Sequence, residues 1–436
     1  MQPVARTINT KNKQSKFETN MKVKISTLFA ALILSAGALF AEGTEVNGIY
    51  YIFDDVNSVA TVTYQGSSCS AVADEYTGTV VIPEKVTNGG KEYSVDSIGE
   101  GAFSECTGLT SVSIPNSIKS IGEGAFSECS GLTSFTIPNA VTSIGVWAFG
   151  ACSQLASVTI GTSVKSIGEA AFYGCSGLTS VEIPNSVDSI SDYAFGRCSS
   201  LNSITVASDN SKYESRDCNA IIEKSTNTLV VGCKSTVIPN SVTGIGTSAF
   251  GACSDLTNIA IPTSVKSIGK DAFAACGLTS VEIPNSVDSI GEAAFYKCSA
   301  LTSVTIGTSV KIICKGAFYE CAQLATVTCN ATEPPTAYDT SFYNYSATLK
   351  VPCSSKEAYA AATCWKDFTN VECIGSTVGL AQTEMSELYT ESGRIVCAGE
   401  YRIYDLLGRD VTRQNGNLHG VYVVKTADTA VKVVVK

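Results

Sequence analysis

An Ala-Phe pair followed three residues later by a cysteine occurs nine times in this chain, with the phenylalanines at Phe103, Phe126, Phe149, Phe172, Phe195, Phe250, Phe273, Phe295 and Phe318. Cys106 and Cys129 stand 23 residues apart, and the stretch at 278–299, LTSVEIPNSVDSIGEAAFYKCS, shows the whole unit. A fixed period of this length is the signature of a solenoid, in which each repeat forms one turn and packs only on its neighbours. One copy cannot fold by itself. Its apolar set, in one copy Leu155, Val158, Ile160, Val164, Ile167, Ala171, Phe172 and Cys175, buries too little surface to offset the entropy of ordering the whole repeat. Only a stack covers both open sides of every turn, so function is expected on the surface of a rod.

Within the unit, Leu-x-x-Val-x-Ile reads as a short strand, Pro-Asn-Ser as a turn, Val-x-Ser-Ile-Gly as a second extended piece, and the Ala-Phe segment as a tight helical turn. Pro115, Pro138, Pro184, Pro262 and Pro284 end the first strand because proline has no N–H for a ladder. The glycines at Gly122, Gly145, Gly168 and Gly269 fit a bend with positive φ. At ~4.8 Å per turn, about eleven turns give a rod of roughly 50 Å.

Length and charge narrow the classes further. A chain of 436 residues has room for two or three domains, and 44% hydrophobic against 16% charged residues describes a folded chain. The formal charge of −10 argues against nucleic acid, because no repeat supplies a basic face for phosphates. Lys119, Lys165, Lys266 and Lys311 share one slot, but Asp188 and Asp288 fill it in other copies, which reads as a solvated edge. The single histidine, His419, lies outside the repeats, so they hold no histidine triad or histidine-ligated zinc. No cofactor or metal is expected.

Residues 1–20 are polar and unpatterned and read as an over-called start. From Met21, Lys22 and Lys24 precede an apolar run, Ile25 to Phe40, closed by small residues, with cleavage sites at Ala36-Gly37-Ala38 or after Ala41. Residues 21–41 therefore read as a signal peptide, too short and small-residue-rich to span a membrane. No cysteine follows directly, which argues against a lipoprotein anchor. The mature chain is expected to be exported, with no transmembrane span.

Residues 42–76 read as an N-terminal β cap. In 48–82 the apolar residues pair two apart, as Tyr50 with Ile52, Val62 with Tyr64 and Val80 with Ile82. The solenoid is expected over 77–330. Its register breaks once: Cys253 lies 55 residues after Cys198, one period plus 32 extra, within a long insert at 207–236. Ile221-Ile222 and Leu229-Val230-Val231 read as a hairpin, either projecting from the rod as a binding element or packing on it as an irregular turn. Residues 331–375 read as a C-terminal cap with Trp365 in its core, and 380–436 as a small antiparallel β-sandwich.

The pattern Leu-x-x-Val-x-Ile-Pro-x-x-Val-x-x-Ile-Gly-x-x-Ala-Phe-x-x-Cys resembles the BspA-like leucine-rich repeats of bacterial surface proteins over roughly 77–330. The resemblance implies a β-rich α/β solenoid of short parallel strands, and a role in adhesion to host extracellular-matrix proteins or to microbial surface macromolecules. The tail is similar to the C-terminal sorting domain of type IX secretion at Tyr404, Asp405, Leu406, Gly408, Arg409, Gly420, Val421, Tyr422 and Lys436. That likeness implies a partner in the secretion machinery.

Eighteen cysteines in an exported chain ordinarily suggest disulfides. Nine hold the repeat position, where stacking sets equivalent side chains ~4.8 Å apart against the ~3.8 Å between Cβ atoms that a disulfide requires. A ladder of buried thiols is expected there. Cys218 with Cys233, and Cys364 with Cys353 or Cys373, are candidate pairs elsewhere.

The outward alternates of the first strands form the candidate ligand face: Ser134 and Thr136, Ser157 and Thr159, Ser180 and Glu182, Ser203 and Thr205, Ser280 and Glu282, Ser303 and Thr305. Ser111, Ser113, Thr326 and Thr328 extend it. Such hydroxyls can bind an extended ligand through many weak hydrogen bonds, or simply suit a crowded strand face. Adhesion to proteins is the expected role, with glycan binding as the alternative. A carboxylate hydrolase built on Glu182 and a neighbour is the competing class, but no nucleophile, phosphate or metal motif is present, so no enzyme is expected.

Overall fold

The computed structural model describes residues 43–66, 75–216, 218–338 and 340–374, and in the C-terminal region 389–391, 394–396, 401–405, 409–415, 418, 420–425 and 430–435. The leader at 21–41, His419, Leu406, Gly408 and Lys436 lie outside the described residues.

Most repeats contribute two short strands, one to each of two sides of parallel sheet. On one side Ser134–Thr136, Ser157–Thr159, Ser180–Ile183 and Ser203–Val206 stack in register, with Ser157 opposite both Ser134 and Ser180. Ser280–Ile283, Ser303–Ile306 and Thr326–Cys329 repeat the arrangement and continue into Thr348–Pro352 and Asn370–Ile374. On the second side Ser120–Ile121, Ser143–Ile144, Ser166–Ile167 and Ser189–Ile190 form one ladder. Alternation decides which residues face in: Val181, Ile183 and Ile144 are buried, while Ser180 and Glu182 are exposed.

The N-terminal end is closed by a meander. Thr44–Val46, Ile49–Asp54 and Val59–Thr63 pair antiparallel, and the last runs parallel to Lys91–Ile98, the first strand of the second-side ladder. Ile49 and Tyr51 are the buried alternates of the middle strand. Ile52, grouped with Tyr50 in the sequence reading, is 43% exposed.

The third side corrects the sequence reading. The Ala-Phe segment is not a regular helix: alternate N–H groups bond forward to the next turn, as Phe126 N–H to Ala148 C=O and Phe149 N–H to Ala171 C=O, both 2.7 Å, while those between them close tight turns, as Ser127 N–H to Gly124 C=O at 2.9 Å and Cys129 N–H to Phe126 C=O at 3.3 Å. Residues two before and two after each phenylalanine hold positive φ, for example Trp147 at 56° and Glu128 at 61°. This alternation gives a third ladder of backbone hydrogen bonds without a strand. The glycines expected to hold positive φ do not. A Cβ on Gly145 would lie 2.5 Å from the Gly122 carbonyl carbon, so glycine is required there by the close approach of the preceding turn.

The phenylalanines line up. Phe103, Phe126, Phe149, Phe172 and Phe195 stack with ring centroids 5.0–5.3 Å apart and planes within 8°. A second column runs Phe250, Phe273, Phe295, Phe318 and Phe342, and ends on Trp365. Beside them lies the thiol ladder: Cys129 donates to Phe103 C=O at 2.9 Å, Cys152 to Phe126 C=O at 3.0 Å and Cys321 to Phe295 C=O at 3.1 Å. Burial pushes the Cys152 and Cys298 thiols up to about 12. Elsewhere Cys218 and Cys233 are thiols turned to Ser215 C=O and Ser235 Oγ, and Cys364 lies 3.3 Å from the Tyr345 hydroxyl. These contacts replace the disulfides considered from sequence.

The insert does not project as a free hairpin. Ala220–Glu223 and Thr228–Gly232 pair antiparallel, and Leu229 then lies in register with Ile245, filling the second-strand position of a turn. Ile221 and Val231 pack into the N-terminal core, whereas Ile222 and Leu229 pack into the C-terminal one. The hairpin is thus the partition between two stacked cores.

At the far end Trp365 is buried and donates its indole N–H to Pro335 C=O at 2.7 Å, and Tyr359 donates to Ala331 C=O at 2.8 Å. The C-terminal region has its own small core of Ile395, Ile403, Leu418 and Val424, beneath a two-stranded and a three-stranded antiparallel sheet. Asp405 there accepts from Arg409 Nε at 2.6 Å and from the Arg409 backbone N–H at 2.9 Å.

Candidate functional site

The first-strand face places the candidate residues in two columns. Ser134, Ser157, Ser180 and Ser203 share one register position, and Thr136 with Thr159 and Glu182 with Thr205 share the next outward one. After the insert, Ser280 and Ser303 lead to Thr326, and Glu282 and Thr305 to Thr328. Ser203, Ser303 and Thr305 are half-buried, and the other nine residues of the proposed face are exposed.

Neighbouring threonines show what these hydroxyls are not doing. Thr179 and Thr302, also exposed, donate along the ladder to the Ala156 and Thr279 carbonyls at 3.3 and 2.9 Å. Among the described residues, no side-chain hydrogen bond within the protein engages Ser157, Thr159, Ser180, Thr205 or Ser280. Their donors and acceptors are left to solvent or to a ligand.

The face is not continuous. Residues 256–261, which carry the repeat pattern, form no strand, because the insert separates this turn from the sheet at 203–206. A shallow depression opens there, lined by Asn258, Thr263, Ser280, Glu282, Thr305 and Asn330 among others. The structure therefore brings Ser280, Glu282 and Thr305 together at one place and leaves Ser134 through Thr205 as a separate bank.

Asn258 and Asn330 were not singled out from sequence, since each departs from the repeat in a single copy. Lys350 and Glu372 extend the outward column into the C-terminal strands, opposite each other and 3.6 Å apart. The match of Leu349-Lys350-Val351 to the strand pattern is the signal that could have revealed them. The carboxylate arrangement required by the hydrolase reading is not formed at the register partners. Glu182 faces Thr205 and Glu282 faces Thr305, each a hydroxyl.

Short strands stacked in parallel register around a column of phenylalanines, with one outward polar face, define a leucine-rich-repeat β-solenoid. The chain belongs to the BspA-type leucine-rich repeat family: the family's profile, "BspA type Leucine rich repeat region (6 copies)", matches residues 93–218 and 221–350. Among solved structures it is similar to a leucine-rich cell surface protein from Faecalibacterium prausnitzii A2-165, at 26% identity, TM-score 0.49, over 78% of this chain and 97% of that one. The pneumococcal vaccine antigen PcpA aligns at 19% identity and TM-score 0.49 over 76% of this chain and 96% of its own. A leucine-rich repeat protein from Eubacterium ventriosum aligns at 21% identity and TM-score 0.47 over 76% and 84%. No curated protein matches the sequence. No helix among the described residues is long and apolar enough to cross a membrane.

Proposed function

We propose that this chain is an exported, surface-displayed adhesion protein that binds host or microbial proteins through its first-strand face. The observation that carries the reading is the in-register bank from Ser134 to Thr205, seven hydroxyls and the Glu182 carboxylate, exposed except for the half-buried Ser203 and unspent within the protein. An extended segment laid across several turns meets a pair of outward polar groups at every step, two hydroxyls on three of the turns and Ser180 with the Glu182 carboxylate on the other. Each hydrogen bond contributes only ~0.5–1.5 kcal/mol, so affinity grows with the number of turns engaged. Membership of a repeat family built for protein recognition and the leader-like 21–41 support the same reading. In this account residues 42–76 and 331–375 cap the solenoid of 77–330, and 380–436 engages the secretion machinery.

The test is a binding screen of the purified chain on immobilised extracellular-matrix proteins, mucin and whole bacterial cells, beside a Thr159→Arg, Ser180→Arg, Thr205→Arg variant. Binding to at least one protein surface that falls about tenfold or more in the variant supports the proposal. Binding that is absent throughout, or indifferent to the variant, overturns it.

A further inference from the structure

On the turn side of the rod, away from the strand face, three aromatic rings occupy positions that are small in most other repeats. Trp147 and Tyr193 stand two residues before their phenylalanines, where other copies carry Gly101, Gly124, Ala170 or Ala293. Tyr173 stands one residue after its phenylalanine, where the adjacent copies carry Gly150 and Gly196. The rings meet in a row: Trp147 and Tyr173 have centroids 5.1 Å apart, and Tyr173 and Tyr193 6.4 Å.

Each ring lies on a glycine. A Cβ built on Gly150 would come within 2.2 Å of the Trp147 ring, one on Gly196 within 2.9 Å of Tyr173, and one on Gly251 within 3.0 Å of Tyr193. Backbone thus covers one side of every ring, while all three remain partly exposed. Tyr193 lies near Asp271, which belongs to a turn beyond the partition, and burial is the main cause that raises the titration of both groups. Exposed charged groups flank the row. Glu169 and Asp192 stand in one column before it, and Arg197, with its guanidinium 5.6 Å from the Tyr173 centroid, stands after it.

We propose that Trp147, Tyr173 and Tyr193 form a second binding site, for a pyranose-based oligosaccharide. Rigid rings with backing on one side offer flat apolar surface to the C–H faces of sugar rings, and the carboxylates and guanidinium at the edges match their hydroxyls. A cationic ligand fits less well, since the Arg197 guanidinium flanks the row 5.6 Å from the Tyr173 centroid and would repel it. A polyanion is disfavoured by Glu169, Asp192 and Asp271. The site is independent of the strand face, and its spacing along the solenoid axis suits a chain of several sugars.

The test uses the full chain in affinity gel electrophoresis through xylan, mannan, mixed-linkage β-glucan and mucin O-glycans. Retardation is expected in at least one gel, weakened about tenfold by Trp147→Ala and by Tyr173→Ala, largely kept by Trp147→Phe, and unchanged by Thr159→Arg with Ser180→Arg. The wild-type chain gives a second readout. Of its two tryptophans Trp365 is buried, so the iodide-quenchable fluorescence belongs to Trp147, and the retarding polysaccharide should protect it. Retardation in no gel, retardation indifferent to both alanine variants, or quenching unaffected by the polysaccharide overturns the proposal.

Discussion

Replacing Gly145 by alanine should damage the solenoid out of proportion to the one methyl group added. The new Cβ would lie 2.5 Å from the carbonyl carbon and oxygen of Gly122 and 2.6 Å from the Glu123 nitrogen, all backbone atoms of the preceding turn. Carbon contacts settle near ~3.5–4.0 Å, so the two turns must separate by roughly 1 Å. The Gly145 N–H to Ile121 C=O bond, now 2.8 Å, and its neighbours Gly124 N–H to Val146 C=O and Phe126 N–H to Ala148 C=O, at 2.8 and 2.7 Å, would stretch past useful length. Three such bonds at ~0.5–1.5 kcal/mol each, with part of the Phe126–Phe149 stacking at ~0.5–1.5, give a loss of about 2–6 kcal/mol. Gly124 is the control. It has φ +57°, but its Cβ would meet nothing nearer than Ser127 Cβ at 4.0 Å, so alanine there costs only ~1–2 kcal/mol. Urea unfolding of both variants, followed by circular dichroism, should show the larger midpoint shift for Gly145→Ala. A Gly145→Ala shift no greater than that of Gly124→Ala would refute close approach as the reason for the glycine.

Leu229→Ala should cost ~2–5 kcal/mol, as for any core leucine, while Ser225→Ala at the exposed hairpin tip stays within ~0.5; equal small effects in urea unfolding would mean that the insert is not part of the stack. The buried thiols set a pH limit. Their folded values are raised, so stability is whole below about pH 9, where the unfolded chain begins to ionise its cysteines, and is lost as pH climbs toward the value of about 12 for Cys152 and Cys298. Melting temperature should decline through pH 9–11 and decline less in a Cys152→Ala, Cys298→Ala variant; parallel profiles would contradict this. Deletion of 380–436 should leave the melting transition of the repeats in place and abolish display on native cells, and undiminished display would remove the sorting role.

The stacking was legible because it depends on side chains that recur: the phenylalanine and cysteine spacing fixes the columns, and Val-x-Ile alternation fixes which strand residues face in. What did not read correctly depends on backbone relations between turns. Gly145 looks like a bend glycine in one repeat and becomes a steric requirement only when Gly122 is laid against it. The Ala-Phe segment has short-range helical character, yet every second N–H group is claimed by the next turn. Ile221 and Ile222 identified a hairpin, but no local pattern says that adjacent residues will enter two different cores. For the candidate face, alternation alone marked Ser180 and Glu182 as outward, whereas the depression beside Glu282 arises from a strand that fails to form at 256–261, which no residue there announces.

Hydrogen–deuterium exchange of the chain alone and saturated with the protein partner found in the binding screen maps where that partner sits on the solenoid. Protection confined to Ser134–Thr136, Ser157–Thr159, Ser180–Ile183 and Ser203–Val206, with the second-side strands unchanged, is the predicted footprint. Protection on the second-side ladder or the turn side, with those four strands exchanging as in the unbound chain, would contradict it.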